Sequence, residues 1–142
     1  MQESFKEMIK ELKTFFAPEN MYFNQDLQFV KTRMVVTEEK LAPLLAILDK
    51  FYKGPFKPAG EKPAREMGDL EVIQALNGIR KEQTLYLNTN DAEYVYFAAI
   101  WPWQSDPSQA SLFLGLHFGG LLTPARKVLM ENTKKELEAV VQ

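Results

Sequence analysis

His117, the single histidine of the chain, is the residue best suited to proton transfer. An unperturbed imidazole has a pKa of about 6.5, so it can act as a general acid or base near neutral pH. No acid or nucleophile stands at a diagnostic spacing from it in the sequence. One hypothesis is therefore a small enzyme in which His117 is the candidate catalytic residue of a pocket lined by tyrosines and Arg33.

Large rings with polar tips are expected beside His117 on one face of a sheet. Side chains alternate along a strand, so a meander of the last three predicted strands places a set of such residues opposite the main aliphatic core. The expected members of this second sheet face are Tyr86, Tyr94, Tyr96, Ile100, Phe113 and His117, and Lys31 and Arg33 join them if strand 27–36 pairs alongside. Three interpretations of the face stay open: a second packing layer, a homodimer interface, or a pocket for a small molecule.

The strand that carries most of this face, 94–101, is apolar on both sides. A strand with one wet face alternates apolar and polar residues, so both faces of this one should be covered. Trp101, Pro102 and Trp103 follow, and the proline ends the strand. The two tryptophans are candidates for stacking on a ligand or anchoring a partner, or simply close the end of the sheet.

A third hypothesis concerns the basic segment 50–65, in which aromatic residues alternate with cations. Its charged residues are Lys50, Lys53, Lys57, Lys62 and Arg65 against Glu61. Cations interleaved with rings are typical of surfaces that hold anionic partners. The segment therefore predicts a regulator that docks on an acidic or nucleic-acid partner.

Several chemistries are excluded by composition. The chain has no cysteine, which rules out disulfides, zinc–thiolate sites and iron–sulfur clusters, and one histidine cannot build a histidine metal site. Glycine-rich phosphate loops, dinucleotide fingerprints and nucleophile elbows are missing from the sequence. We expect no metal and no cofactor.

The charge and hydropathy patterns limit the classes of partner and the cellular location that we expect. The net charge of −2 argues against a general nucleic-acid binder. The longest mostly apolar run, 112–122, is shorter than the roughly 20 residues of a membrane-spanning helix. The N-terminus shows no signal-peptide pattern. We expect a cytoplasmic protein without a membrane partner, with a homodimer or a small ligand as possible partners.

The elements that must position these residues follow from hydrophobic periodicity and turn signals. Helices are predicted over 4–16 with a capping box of Ser4 and Glu7, over 38–52 despite Pro43, and from Thr123 to about 140. Strands are predicted over 27–36, 84–88, 93–101 and 111–118, with a further short strand at 21–23 and a turn at 88–91.

Two segments between these elements are less regular. The prolines and glycines of 54–64 predict a surface loop. For 69–83 a short helix capped by Asp69 competes with a hairpin that turns at Asn77 and Gly78, and the helix is favoured.

The sequence thus predicts a single α+β domain over 1–142, with element order α-β-α-α-β-β-β-α and an antiparallel sheet of four to five strands. The favoured function is a small binding or interaction module. It would use the second sheet face, including Trp101 and Trp103, for self-association or for a small ligand.

Overall fold

A computed structural model describes residues 1–90 and 93–142, with the backbone alone at positions 18, 19 and 69. It confirms the α+β class: one antiparallel sheet packs against α-helices. The helices are α1 (Glu3–Lys13), α2 (Leu41–Tyr52), α3 (Glu71–Ala75) and α4 (Pro124–Val141). The strands are β1 (Pro18–Asn24), β2 (Phe29–Thr37), β3 (Thr84–Asn88), β4 (Val95–Pro102) and β5 (Gln109–His117).

The five strands lie in the order β1-β2-β5-β4-β3. Each neighbouring pair is antiparallel, and β5, the last strand in sequence, is the middle strand of the sheet. The register places Tyr96 opposite Leu116 and Phe113 opposite Ala99. Residues that face each other across antiparallel strands point to the same side of the sheet. This register therefore decides which residues share a face.

The start of α1 differs from the prediction. The helix begins at Glu3, and its N-cap Gln2 makes no side-chain cap bond. Instead, the backbone N–H of Gln2 donates to the Tyr96 hydroxyl at 2.8 Å. The predicted capping box of Ser4 and Glu7 is wrong, because Ser4 already lies inside the helix and a side chain of the sheet accepts the hydrogen bond at the helix start.

Pro43 is accommodated at the start of α2. A turn of 3₁₀ helix, Glu38–Lys40, leads into a helix that begins at Leu41. Pro43 then lies in the first turn, where backbone N–H groups have no partner within the helix. The missing donor of the proline therefore removes no helical hydrogen bond.

Segment 69–83 contains a helix and not a hairpin. A 3₁₀ turn, Arg65–Asp69, precedes the short helix α3, whose N-cap is Leu70. Asn77 and Gly78 have positive φ angles of 68° and 94°, and the Gly78 N–H donates to the Ile73 carbonyl at 2.9 Å. The side chain of the predicted cap Asp69 lies outside the described residues, as does Asp91 of the predicted turn at 88–91.

The N-terminus of α4 agrees with the sequence, but its buried stripe does not. Thr123 is the N-cap and accepts from the Arg126 N–H at 3.2 Å, and Pro124 occupies the first turn. The apolar spacing of this helix predicts that Val128 is buried, but Val128 is 61% exposed, whereas Met130 and Thr133 are buried. In the described part of the chain, no helix combines the length and apolarity that a membrane crossing requires.

Both faces of the sheet are covered at β4, as the two-sided apolarity of this strand predicts. Helices α1, α2 and α4 cover one face and enclose the larger core. On the other face, Val72, Ile73 and Leu76 from α3 and its C-terminal end pack against Leu85 and Phe97. We call the first side the helical face and the second side the open face, because α3 covers only part of it.

Candidate functional site

The predicted grouping of tyrosines with His117 is wrong. Tyr86, Tyr94, Tyr96 and Ile100 lie on the helical face, in the same core as Leu112, Leu114 and Leu116. The reason is the register: Tyr96 faces Leu116, Ile100 faces Leu112, and Tyr86 faces Ala98. Alternation along the strands predicts that Leu85 and Leu87 share the side of the β5 leucines, but Leu85 lies on the open face.

The hydroxyls of Tyr86, Tyr94 and Tyr96 each contact a different helix. Tyr86 donates to Asp49 Oδ1 of α2 at 2.9 Å, and its pKa is raised by burial and by this carboxylate. The Tyr94 hydroxyl lies 3.2 Å from Thr133 Oγ1 of α4. Tyr96 accepts from Gln2 at the start of α1. These hydroxyls therefore bind the helices to the sheet and are not presented to a ligand.

The other predicted site residues all lie on the open face or at its margin. Arg33 Nε donates to Ser111 Oγ at 3.1 Å, and Trp103 Nε1 donates to the same oxygen at 3.0 Å. The rings of Trp101 and Phe113 are in edge contact, with centroids 4.9 Å apart. His117 lies at the opposite end of β5 from Ser111. The structure thus divides these predicted residues into an Arg33–tryptophan cluster and a separate His117 site.

His117 lines an apolar pocket of about 380 Å³ between the sheet and α3. Its apolar walls are Phe56, Leu70, Val72, Leu87 and Val95, and its polar groups are Glu71, Thr89 and His117. Phe56 and Leu70 are 42% and 38% exposed, so they form an apolar rim. An apolar recess of this size with few polar groups is typical of a site for a small molecule.

The environment of His117 favours the neutral imidazole. The side chain is 4% exposed, and burial lowers its pKa below the usual value. The Glu71 carboxylate and a hydrogen bond with the Leu27 backbone oppose this shift, while the Arg126 guanidinium reinforces it. Arg126 is itself held by Glu93 Oε2 at 3.3 Å and by the Gly119 carbonyl.

Within the described ranges, no side chain is hydrogen-bonded to the imidazole. A general acid or base usually has a positioned partner or a substrate proton within reach. The enzyme hypothesis therefore stays a prediction, with Glu71 as the charged residue of the pocket lining that acts on His117.

The basic segment 50–65 does not present all its cations to a partner. Lys57 is 1% exposed, and its ammonium donates to the carbonyls of Arg80, Lys81 and Gln83 at 2.6–2.9 Å. Lys50 pairs with Glu11 at 3.0 Å. Lys53, Lys62 and Arg65 remain exposed. Lys57 holds the 80–83 turn, so its ammonium is not presented to the acidic or nucleic-acid partner of the third hypothesis.

One residue of interest, Glu71, was not singled out as a site residue in the sequence. Glu71 lines the pocket because α3 packs on the sheet, and no local sequence pattern predicts this packing. Lys31 lies on the open face between Phe29 and Arg33, as their alternate positions on β2 indicate. Over residues 1–90 and 93–142, no group of three histidine, aspartate or glutamate side chains could hold a metal ion.

Comparison with known proteins gives no family. Neither a family model, nor a curated protein, nor a solved structure matches this chain.

Proposed function

We propose that the protein is a binding module for a small, mainly apolar molecule that occupies the His117 pocket. The observation that supports this best is the apolar recess of about 380 Å³ with a nearly fully buried imidazole in its wall. Burying a histidine against apolar walls destabilises the fold unless its polar atoms are satisfied. A ligand with a matching polar group at the imidazole is therefore favoured over a wholly apolar one.

The polar groups of the pocket select the ligand's head group. The Leu27 backbone favours the protonated ring, which is the effect expected of a carbonyl that faces an imidazole N–H. The other nitrogen of a neutral ring is then an acceptor, and the Glu71 carboxylate is also an acceptor. We infer that the ligand carries a hydroxyl or a protonated amine at the end of an apolar body.

Three probes of equal chain length test this assignment: hexylamine, hexan-1-ol and hexanoate. Binding is followed by NMR through the methyl groups of Leu87 and Val95, which line the pocket. We expect saturable shifts for the amine and the alcohol and at least tenfold weaker binding of hexanoate, because its carboxylate meets Glu71. Equal affinity for the three probes, or no saturation by any of them, contradicts the proposal.

A matched pair of variants locates the binding site. Val95→Phe fills the pocket from β4, whereas Val128→Phe makes the same change at an exposed position of α4. We expect the first variant to abolish probe binding and the second to leave it unchanged. Light scattering with and without hexylamine shows whether the protein self-associates instead, since a dimer that covers the pocket would lose mass on titration.

A further inference from the structure

The open face carries a second cavity, which we call the Gln83 recess. Its volume is about 380 Å³, and its lining residues are Leu76, Asn77, Gly78, Arg80, Gln83 and Trp101. The start of α3 lines the His117 pocket, whereas the residues that follow the end of α3 line this recess. The two cavities therefore share no lining residue and are separate sites.

The 80–83 turn presents hydrogen-bond donors to the recess because its carbonyl groups are occupied elsewhere. The buried Lys57 ammonium donates to three of them at 2.6–2.9 Å, which uses all three of its hydrogens. The Arg80 carbonyl also accepts from the Gln83 N–H at 3.1 Å. The Lys81 carbonyl also accepts from the Gly60 N–H at 2.8 Å. Both lone pairs of these two oxygens are thus engaged.

The Gln83 side chain offers the recess a donor of fixed position. It is 4% exposed, and its Oε1 accepts from the Arg80 N–H at 2.8 Å, which distinguishes the oxygen of the amide from its nitrogen. Over residues 1–90 and 93–142, Nε2 donates to no acceptor, and it is not one of the fully enclosed atoms without a partner. Because Gln83 lines the recess, Nε2 is left to pair with a ligand.

Trp101 adds a second donor and an apolar wall. Trp103 Nε1 donates to Ser111 Oγ at 3.0 Å, whereas Trp101 Nε1 donates to no residue in the described part of the chain. Leu76, which is 5% exposed, lines the same recess. An indole ring and a leucine beside two N–H donors suit a flat apolar ring that carries an acceptor atom.

The polar groups of the lining favour an uncharged ligand. Arg80, its charged residue, is already paired, since Arg80 Nε lies 3.4 Å from Glu82 Oε1. Asn77, Gln83 and Trp101 offer neutral amide and indole groups. Moving an unpaired charge out of water costs more than moving a neutral polar group that finds a hydrogen bond.

We propose that the Gln83 recess binds an uncharged aromatic molecule with a carbonyl group, of the aromatic amide or lactam class. The carbonyl oxygen accepts from Gln83 Nε2, and the ring packs against Trp101 and Leu76. The Asn77 amide, which has a donor and an acceptor, pairs with the ligand N–H. The His117 pocket selects a head group that donates, so the two cavities select ligands of opposite hydrogen-bonding character.

Three probes with one common ring test the assignment: benzamide, benzoate and benzylamine. Each is titrated into the isotope-labelled full chain, and NMR follows the N–H signals of the Gln83 amide and the two indoles. Trp103→Phe identifies the two indole signals. We expect saturable shifts of the Gln83 and Trp101 signals with benzamide, and much smaller shifts of Trp103, whose N–H is held by Ser111.

The two charged probes should bind about fivefold more weakly than benzamide, because benzoate brings a charge to neutral groups and benzylamine lacks the acceptor. Equal or tighter binding of either charged probe overturns the proposal. It is also overturned if benzamide leaves the Trp101 signal in place, or if it shifts both indole signals equally.

A matched pair of variants tests the role of Gln83. Gln83→Glu keeps an acceptor for the Arg80 N–H but removes the donor, and it should weaken benzamide binding about tenfold. Gln74→Glu makes the same change at an exposed position of α3 and should bind as the original chain does. Equal binding by the two variants contradicts the assignment.

A second pair of variants keeps the test valid if Gln83→Glu does not fold. Trp101→Phe keeps an apolar ring but removes the indole N–H, and it should weaken benzamide binding about threefold or more. Val95→Phe fills the His117 pocket and should leave benzamide binding unchanged. Loss of benzamide binding in Val95→Phe would place the probe in the His117 pocket and overturn this proposal, without contradicting the function proposed for that pocket.

Discussion

The hydroxyl of Tyr94, the residue just before β4, lies 3.2 Å from the Thr133 hydroxyl of α4 in the buried core. Thr133 Oγ1 already donates its only hydrogen to the Leu129 carbonyl at 2.8 Å. Tyr94 must therefore be the donor and Thr133 the acceptor. The Tyr94 hydroxyl, which the sequence predicts as a ligand-binding group, is a fixed link between the sheet and α4.

Removing this donor should destabilise the fold by a small, measurable amount. We expect Tyr94→Phe to lower the free energy of unfolding by about 1 kcal/mol, since a buried acceptor loses its partner. Urea titration measures the change. Tyr22→Phe, which removes a hydroxyl from an exposed ring, is the control and should change stability by less than about 0.5 kcal/mol.

Lys57 should contribute more to stability than any exposed lysine of its segment. Lys57→Met leaves three carbonyls without their charged donor, and we expect a loss of about 2–4 kcal/mol. Lys62→Met, in the same loop but exposed, should be nearly neutral. Equal unfolding midpoints for the two variants would show that the ammonium does not hold the 80–83 turn.

Gly115 allows a direct test of the close approach between β2 and β5. A Cβ there overlaps backbone atoms, which cannot move without separating the strands. We expect Gly115→Ala to cost about 3 kcal/mol or more. Gly68→Ala provides the control, because the space around Gly68 is open and its φ is not in the left-handed region. A stable Gly115→Ala protein would contradict the observed register.

His117 should make stability depend on pH below neutrality. Its pKa in the folded chain is lowered, so the unfolded chain binds a proton first as the pH falls below about 6.5. The stability that the neutral imidazole gives the folded chain is therefore fully present above about pH 6.5. It decreases as the pH falls from there and stops decreasing below the pKa of His117 in the folded chain.

His117→Gln should lack this component. The measurement is the difference in unfolding free energy between the two proteins from pH 5 to pH 8. Carboxylates elsewhere titrate in both proteins and cancel in the difference. A difference that is constant with pH would mean that the imidazole is equally easy to protonate in the folded and the unfolded chain.

Local signals in the sequence were sufficient for most elements. Strand β3 and the Thr123–Pro124 start of α4 match their predicted positions, because alternation and cap residues act within a few residues. The burial of both faces of 94–101 was also visible in the sequence. All of these features are decided by neighbours along the chain.

The identity of the faces could not be predicted, because β4 is apolar on both sides and alternation then carries no information about which side is core. The polar tips of Tyr86 and Tyr94 favoured the wetter side, but α2 and α4 supply Asp49 and Thr133 as buried partners. Lys57 presents the same problem. Its carbonyl partners lie more than twenty residues away along the chain, so no local sequence pattern indicates that Lys57 is buried.

The place of β5 in the sheet has a consequence for synthesis. The hairpins β1–β2 and β3–β4 emerge from the ribosome earlier, yet neither can join the other until β5 has been made, because β5 separates them. Until then each hairpin offers an unpaired strand edge to other nascent chains, and such edges promote aggregation. Closing the sheet is therefore a late, long-range event, and chains halted before Gln109 should depend on chaperones to stay unaggregated.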